Sequence, residues 1–194
     1  TSLSSITIPD SVTMICWAAF EKCNSLGSIT IPDSVTEIDA RAFYTSVGLT
    51  EINVSEGNSA YTSENGVLFN KDKTEIHTYP AGKINSSYTI PKGVVSIGEA
   101  AFTGCENLTE VIIPDTVTSI GDTAFALCKN LKSIVIPDSV TRVYTYAFID
   151  CEKLESVEWS KNATNISGSV FEGCTSLKSF VIPEGITTIN GCAF

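Results

Sequence analysis

Seven cysteines, a single histidine and a recurring set of turn carboxylates are the residues whose chemistry would matter most if the fold gathered them. Cys23, Cys105, Cys128, Cys151 and Cys174 occupy equivalent positions, with Ser46 where another would fall. Structural zinc needs four convergent Cys or His ligands, but no Cys-x-x-Cys pair occurs and His77 is alone. Disulfides need Cα atoms about 4.4–6.8 Å apart, which stacked segments would supply. A slot that accepts serine also suits a small buried side chain, so reduced, buried thiols are the expectation and a disulfide ladder the alternative.

Asp10, Asp33, Asp115, Asp138 and Glu184 form a second set, and stacked carboxylates are the kind of oxygen array calcium favours. Each follows a proline, where a carboxylate serves a turn, and Lys92 and Lys161 interrupt the row. Turn chemistry, and no metal, is expected. His77 has no Gly-x-Ser-x-Gly or Cys–His arrangement near it, and no glycine-rich phosphate loop opens a long helix. Glu152 and Glu155 are expected to be solvated. Neither catalysis nor a cofactor is predicted. The Asn-x-Ser/Thr triplets at Asn53, Asn85, Asn107, Asn162 and Asn165 gain meaning only in a eukaryotic product.

The whole-chain balance narrows the partners. With 22 acidic against 12 basic residues in 194, the net charge of −10 argues against nucleic acid and anionic lipid surfaces. No apolar run approaches the roughly 20 residues of a membrane helix, so no membrane insertion is expected. The chain opens at Thr1 without a leader, which suggests a fragment of a longer chain. Abundant Ser and Thr suit strands and turns better than exposed helices.

The elements that must position these residues emerge from a repeat. Pro9, Pro32, Pro91, Pro114, Pro137 and Pro183 recur at 23 residues or a multiple within each run, with Ser160 in one vacant slot. Phe20, Phe43, Phe102, Phe125, Phe148, Phe171 and Phe194 do likewise. Eight units open at Leu3, Leu26, Leu49, Asn85, Leu108, Leu131, Leu154 and Leu177. Within one unit, Val111-Ile112-Ile113 alternates and is β-branched, which predicts a short strand with residues 111 and 113 inward. Pro114 ends it and a turn follows. Val117 and Ile120 return inward, and Ala124, Phe125, Cys128 and Leu131 follow an approximately helical spacing that predicts one brief helical turn. Such a unit cannot bury its own apolar edge, so identical units must stack. The expected fold is an α/β solenoid, a right-handed β–α superhelix of 23-residue repeats with short parallel strands and single helical turns. It is expected to form one domain over residues 1–194, with a continuous buried phenylalanine column and strands at Ile6–Ile8, Ile29–Ile31, Val111–Ile113 and Ile134–Ile136.

The pattern Leu-x-x-Ile-x-Ile-Pro-x-x-Val-x-x-Ile-Gly-x-x-Ala-Phe-x-x-Cys-x-x resembles the BspA-like leucine-rich repeats of bacterial surface proteins. The resemblance covers essentially the whole chain. It implies a leucine-rich-repeat solenoid at the cell surface or secreted, acting as a non-catalytic module in adhesion or protein binding. The implied partner is a protein, such as a host or neighbouring-cell surface protein. A purely structural spacer in a larger surface protein is the alternative. Every motif position is structural, so the family pattern transfers no functional residue.

Between Phe43 and Phe102 the spacing is 59, which is 13 residues beyond two periods. The stretches Gly66–Phe69 and Thr74–Tyr79 around the polar Asn70–Lys73 predict a β-hairpin-like insertion around residues 56–84. It is expected either to elaborate one coil or to project and carry specificity. A partner surface is sought among the outward strand residues Ile112, Val135 and Val181, and among the out-of-pattern aromatics Trp17, Tyr44, Tyr144 and Tyr146. Trp17 would otherwise cover a neighbouring coil or stand in for a missing N-terminal cap, whereas Trp159 replaces an inward isoleucine and belongs in the core. Uncapped terminal coils predict either end-to-end self-association or fraying at the ends.

Overall fold

A computed structural model describes residues 2–194. The chain winds into about eight coils with near-23-residue spacing, and each regular coil has three sides. On the first side, strands precede the proline: Ser28–Ile31 pairs with Glu51–Val54. Farther along, Ser87–Thr89, Glu110–Ile112, Ser133–Val135 and Ser156–Glu158 form a four-stranded parallel sheet. On the second side, strands follow the turn. Met14–Ile15 pairs with Glu37–Ile38, Ser96–Ile97 joins Ser119–Ile120 and Arg142–Val143, and Asn165–Ile166 pairs with Thr188–Ile189. Proline explains the corner, because it has no N–H to extend a ladder. Strand alternation sends Val111 and Ile113 inward and leaves Ile112 outside, as the spacing predicts. Ile6–Ile8, by contrast, forms no strand.

The third side corrects the expected helical turn: no helix occurs among the described residues. The residue two before the phenylalanine is left-handed in Ala18, Ala100, Thr123, Tyr146, Ser169 and Cys192. The residue two after is left-handed in Lys22, Thr45, Gly104, Leu127, Asp150 and Gly173. An α-helix cannot accommodate such residues four apart, and each non-glycine instance costs about 1–2 kcal/mol. The offset comes from a ladder to the next coil. Thr123, Phe125 and Leu127 donate N–H bonds to the carbonyls of Thr145, Ala147 and Ile149 at 3.1, 2.8 and 2.9 Å. Turns therefore replace the helix while keeping Ala124, Phe125, Cys128 and Leu131 inward.

The phenylalanine column is also interrupted. Phe20 stacks on Phe43, and Phe102, Phe125, Phe148, Phe171 and Phe194 stack in turn, with rings 4.8–5.9 Å apart. Tyr79, 23 residues before Phe102, heads the second stack at 5.3 Å. Two separate cores result. One contains Phe20, Phe43, Leu49 and Ile52, and the other runs from Val67, Phe69, Ile76 and Tyr79 to Ala193.

The third coil is thus divided between them. Its Glu51–Val54 strand pairs backward, whereas its Glu75–Thr78 strand pairs forward with Ser96–Ile97. The insertion fills the gap with Tyr61–Glu64 and Val67–Asn70, an antiparallel hairpin continuous with Glu75–Thr78. Asn65 and Gly66 close it with φ of 51° and 75°, the positive pair a type I′ turn requires. The hairpin does not simply project. Leu68 packs into the first core while Val67 and Phe69 pack into the second, making one strand the partition between them.

Candidate functional site

The outward residues of the first side form a shallow row, bordered by a groove at its Ser156–Glu158 end. Register sets Thr89 beside Ile112 and Val135 beside Glu158, and Glu110 opposite Ser133 brings Ile112 alongside Val135. Ile112 is 48% and Val135 56% exposed, an apolar pair held on adjacent strands. Val181 does not extend this row in a sheet. It is 84% exposed, but the segment around it forms no strand.

The aromatics separate into distinct places. Trp17, 66% exposed, stands on the first coil, and Tyr144 and Tyr146 are exposed on the sixth. At about 4.8 Å per coil, some 24 Å divides them, so they make no common patch. Tyr44 corrects the expectation of exposure: it is half-buried beside Phe43, Tyr79 and Ala81 where the third coil closes. Trp159 is 5% exposed and packs edge-on against Phe171 and Phe180, with no partner for its indole N–H. Beside it the edge of Ser156–Glu158 borders an open groove that includes Val157, Val181, Ile182 and Pro183. Sequence gave no sign of this groove, because Leu177–Pro183 repeats the strand-forming pattern of Leu131–Pro137.

The residues with chemistry are mostly engaged by the fold. Cys128, Cys151 and Cys174 donate to the carbonyls of Phe102, Phe125 and Phe148 at 3.1–3.2 Å, and Cys105 lies 3.6 Å from that of Tyr79. Ser46 makes the same bond to Phe20, which explains why serine fits the slot. Cys105, Cys128, Cys151 and Cys174 are unbridged, and burial pushes the Cys105 and Cys151 thiols well up, away from reactive thiolate. Gly82 fills the slot in the third coil, where an added Cβ would lie 2.7 Å from Gly48 and Val47 backbone atoms. Asp138 accepts the Lys161 N–H of the next coil at 2.9 Å, and that bond holds its carboxyl below the usual range. No group of three or more metal-ligating side chains converges among the described residues.

His77 lies in a groove with Tyr61, Asn70, Glu75 and Glu99. Its Nε2 is 3.0 Å from the Ile38 carbonyl, which only accepts, so Nε2 carries hydrogen. In the neutral ring Nδ1 then accepts from the Thr78 hydroxyl at 2.8 Å. Burial lowers its pKa, and the Ile38 carbonyl opposes that effect. Both nitrogens are occupied by the protein, an arrangement for holding strands together. Sequence reasoning missed the partners. Tyr61 accepts the Ile38 N–H at 2.9 Å, and Asn58 donates to the Pro32 and Val35 carbonyls while accepting from the Ala60 and Tyr61 N–H groups.

A three-sided parallel solenoid of stacked coils is a repeat scaffold whose recurring residues lie in its interior. The sequence matches the family model of the BspA type leucine rich repeat region over residues 1–80 and 78–194, with six copies, and the chain belongs to this family. A leucine-rich repeat protein from Eubacterium ventriosum is 29% identical, covering 87% of this chain and 58% of its own, with a TM-score of 0.65. A leucine rich cell surface protein from Faecalibacterium prausnitzii is 33% identical, covering 97% and 44% respectively, with a TM-score of 0.61. The pneumococcal vaccine antigen PcpA shares the fold at 24% identity, covering 94% and 55%, with a TM-score of 0.68. This chain spans about half the length of these relatives. No curated protein matches it.

Proposed function

We propose that this chain is a non-catalytic protein-recognition module of a bacterial surface or secreted protein, serving adhesion. The exposed Ile112–Val135 pair on a shallow parallel sheet carries this reading, because an apolar patch without a pocket suits a protein partner better than a small molecule. The surface location draws support from the Faecalibacterium relative. Occupation of both His77 nitrogens favours a non-enzymatic role. The test is binding of the labelled protein to host-cell and bacterial-cell surfaces, with the I112E/V135E variant as comparison. Loss of at least about tenfold in binding, with unchanged circular dichroism, is the expected result. Equal binding by both proteins removes this face from recognition, and absence of binding by either favours the spacer.

A further inference from the structure

Regular neighbours are tied on all three sides. Between the fifth and sixth coils, backbone bonds run along both strand sides and along the phenylalanine side. The third coil breaks this continuity, since its first strand belongs to one core and its second strand and Tyr79 to the other. Side chains largely span the break. Tyr61 and His77 take the N–H and C=O of Ile38, bonds that the next backbone strand would make in a regular coil. Arg41 reaches Glu99 at 2.7 Å and Asp122 at 3.1 Å. Two direct backbone bonds accompany them, from the Gly82 N–H to the Leu49 carbonyl at 2.8 Å and from the Ile52 N–H to the Gly66 carbonyl of the hairpin at 2.9 Å.

We propose that the third coil is a hinge between two separately cored stacks, and that acid opens it through protonation of His77. The ring is enclosed at the joint itself, not within either core. Glu75 faces it from its own strand, Asp39 from the preceding coil, and Tyr61 meets it edge-on at 5.6 Å. Glu99, from the coil beyond, lines the same groove, and Glu37 lies on the strand that His77 grips. Protonation leaves both hydrogen bonds geometrically available but places a cation where water is excluded. Glu75 and Asp39 favour the charged ring, yet burial outweighs them, so the closed joint prefers neutral His77.

The direction follows from linkage. A solvated imidazole takes its proton near pH 6.5, whereas the closed joint holds the ring neutral to lower pH. Closure is therefore fully supported above about pH 6.5 and weakens as pH falls toward the closed-state value. Between pH 7.5 and 5.0 the opening equilibrium rises by up to about 30-fold, the gain of a solvated group with pKa near 6.5.

Amide hydrogen exchange on the full chain, corrected for intrinsic rates, tests this. The Ile38 and Gly82 amides should accelerate by up to about 30-fold, while Phe125 and Leu127 stay unchanged. H77Q keeps a side-chain N–H donor that does not titrate and should flatten the response. Because His77 is the only histidine, its ring resonance in the unmodified protein gives a second measurement that does not depend on the variant folding. It should titrate below the ordinary range, with the Ile38 amide shifting in the same transition. Pace-for-pace exchange at both pH values, an unshifted ring titration, or an equal acid response in H77Q would overturn the hinge pin.

Discussion

The fourth through seventh coils and the third coil share one repeat but hold together differently. In the regular run, nearest phenylalanine rings lie 4.8–5.9 Å apart and nearly parallel, and each thiol reaches a carbonyl in the coil before. Identical backbones in register satisfy one another's polar groups, so side chains are left to fill space. The third coil is out of phase: Ile76 pairs with Ile97, 21 residues on, whereas Tyr79 stacks on Phe102, 23 residues on. Two residues are thus missing between strand and aromatic ring, and Asn58, Tyr61 and His77 supply the partners that the backbone no longer provides. A repeat that loses phase needs buried polar side chains, each with its bonds completed.

That contrast can be broken by mutation. Phe125→Ala, in the middle of the long stack, should cost about 3–5 kcal/mol in chemical denaturation, as fully buried aromatics do. A loss below about 1 kcal/mol would mean that ring stacking is not what holds the regular run. Asn58→Ala strips partners from two carbonyls and two N–H groups, for about 2–4 kcal/mol at the usual cost of unmade buried bonds. Its damage should appear in exchange at Ser28–Ile38 and leave Phe125 and Phe148 protected.

Cys128 sharpens the picture at lower energy. Serine there should be tolerated within about 1 kcal/mol, while valine should cost about 1 kcal/mol through loss of the donor to Phe102. The native protein should react slowly with thiol reagents at Cys105, Cys128 and Cys151 and completely once unfolded. A two-dalton mass deficit reversed by reductant would refute the thiol ladder. Trp17→Ala should change stability by no more than about 0.5 kcal/mol, since the ring stands largely in water.

Much of the regular run was legible because proline, phenylalanine and inward aliphatic residues obey one period. The helical turn was misread for a specific reason. Ala124, Phe125, Cys128 and Leu131 have helix-like spacing, but a chain of turns brings the same residues inward. Gly104 and Gly173, two residues after a phenylalanine, were the available hint of left-handed backbone. In the third coil, Tyr79 and Gly82 fall 23 residues before Phe102 and Cys105 and were readable in principle, as was the Asn65-Gly66 turn. The grip of Tyr61 and His77 on Ile38 was not readable, because it depends on where the folded hairpin places their side chains. The same holds for Tyr44, which the closing of the third coil covers, and for the groove at Trp159.

The divided third coil also governs how such a chain can change length over generations. Coils four to seven present equivalent upper and lower surfaces, so duplication or loss of 23 residues there restores the same contacts across the new junction. Residues 49–84 offer no such freedom. Their two halves serve different stacks, and copying or deleting a period inside them would pair a backward-facing strand with an unsuitable neighbour. Recombination should therefore lengthen or shorten the regular run while carrying the insertion intact, as one indivisible unit.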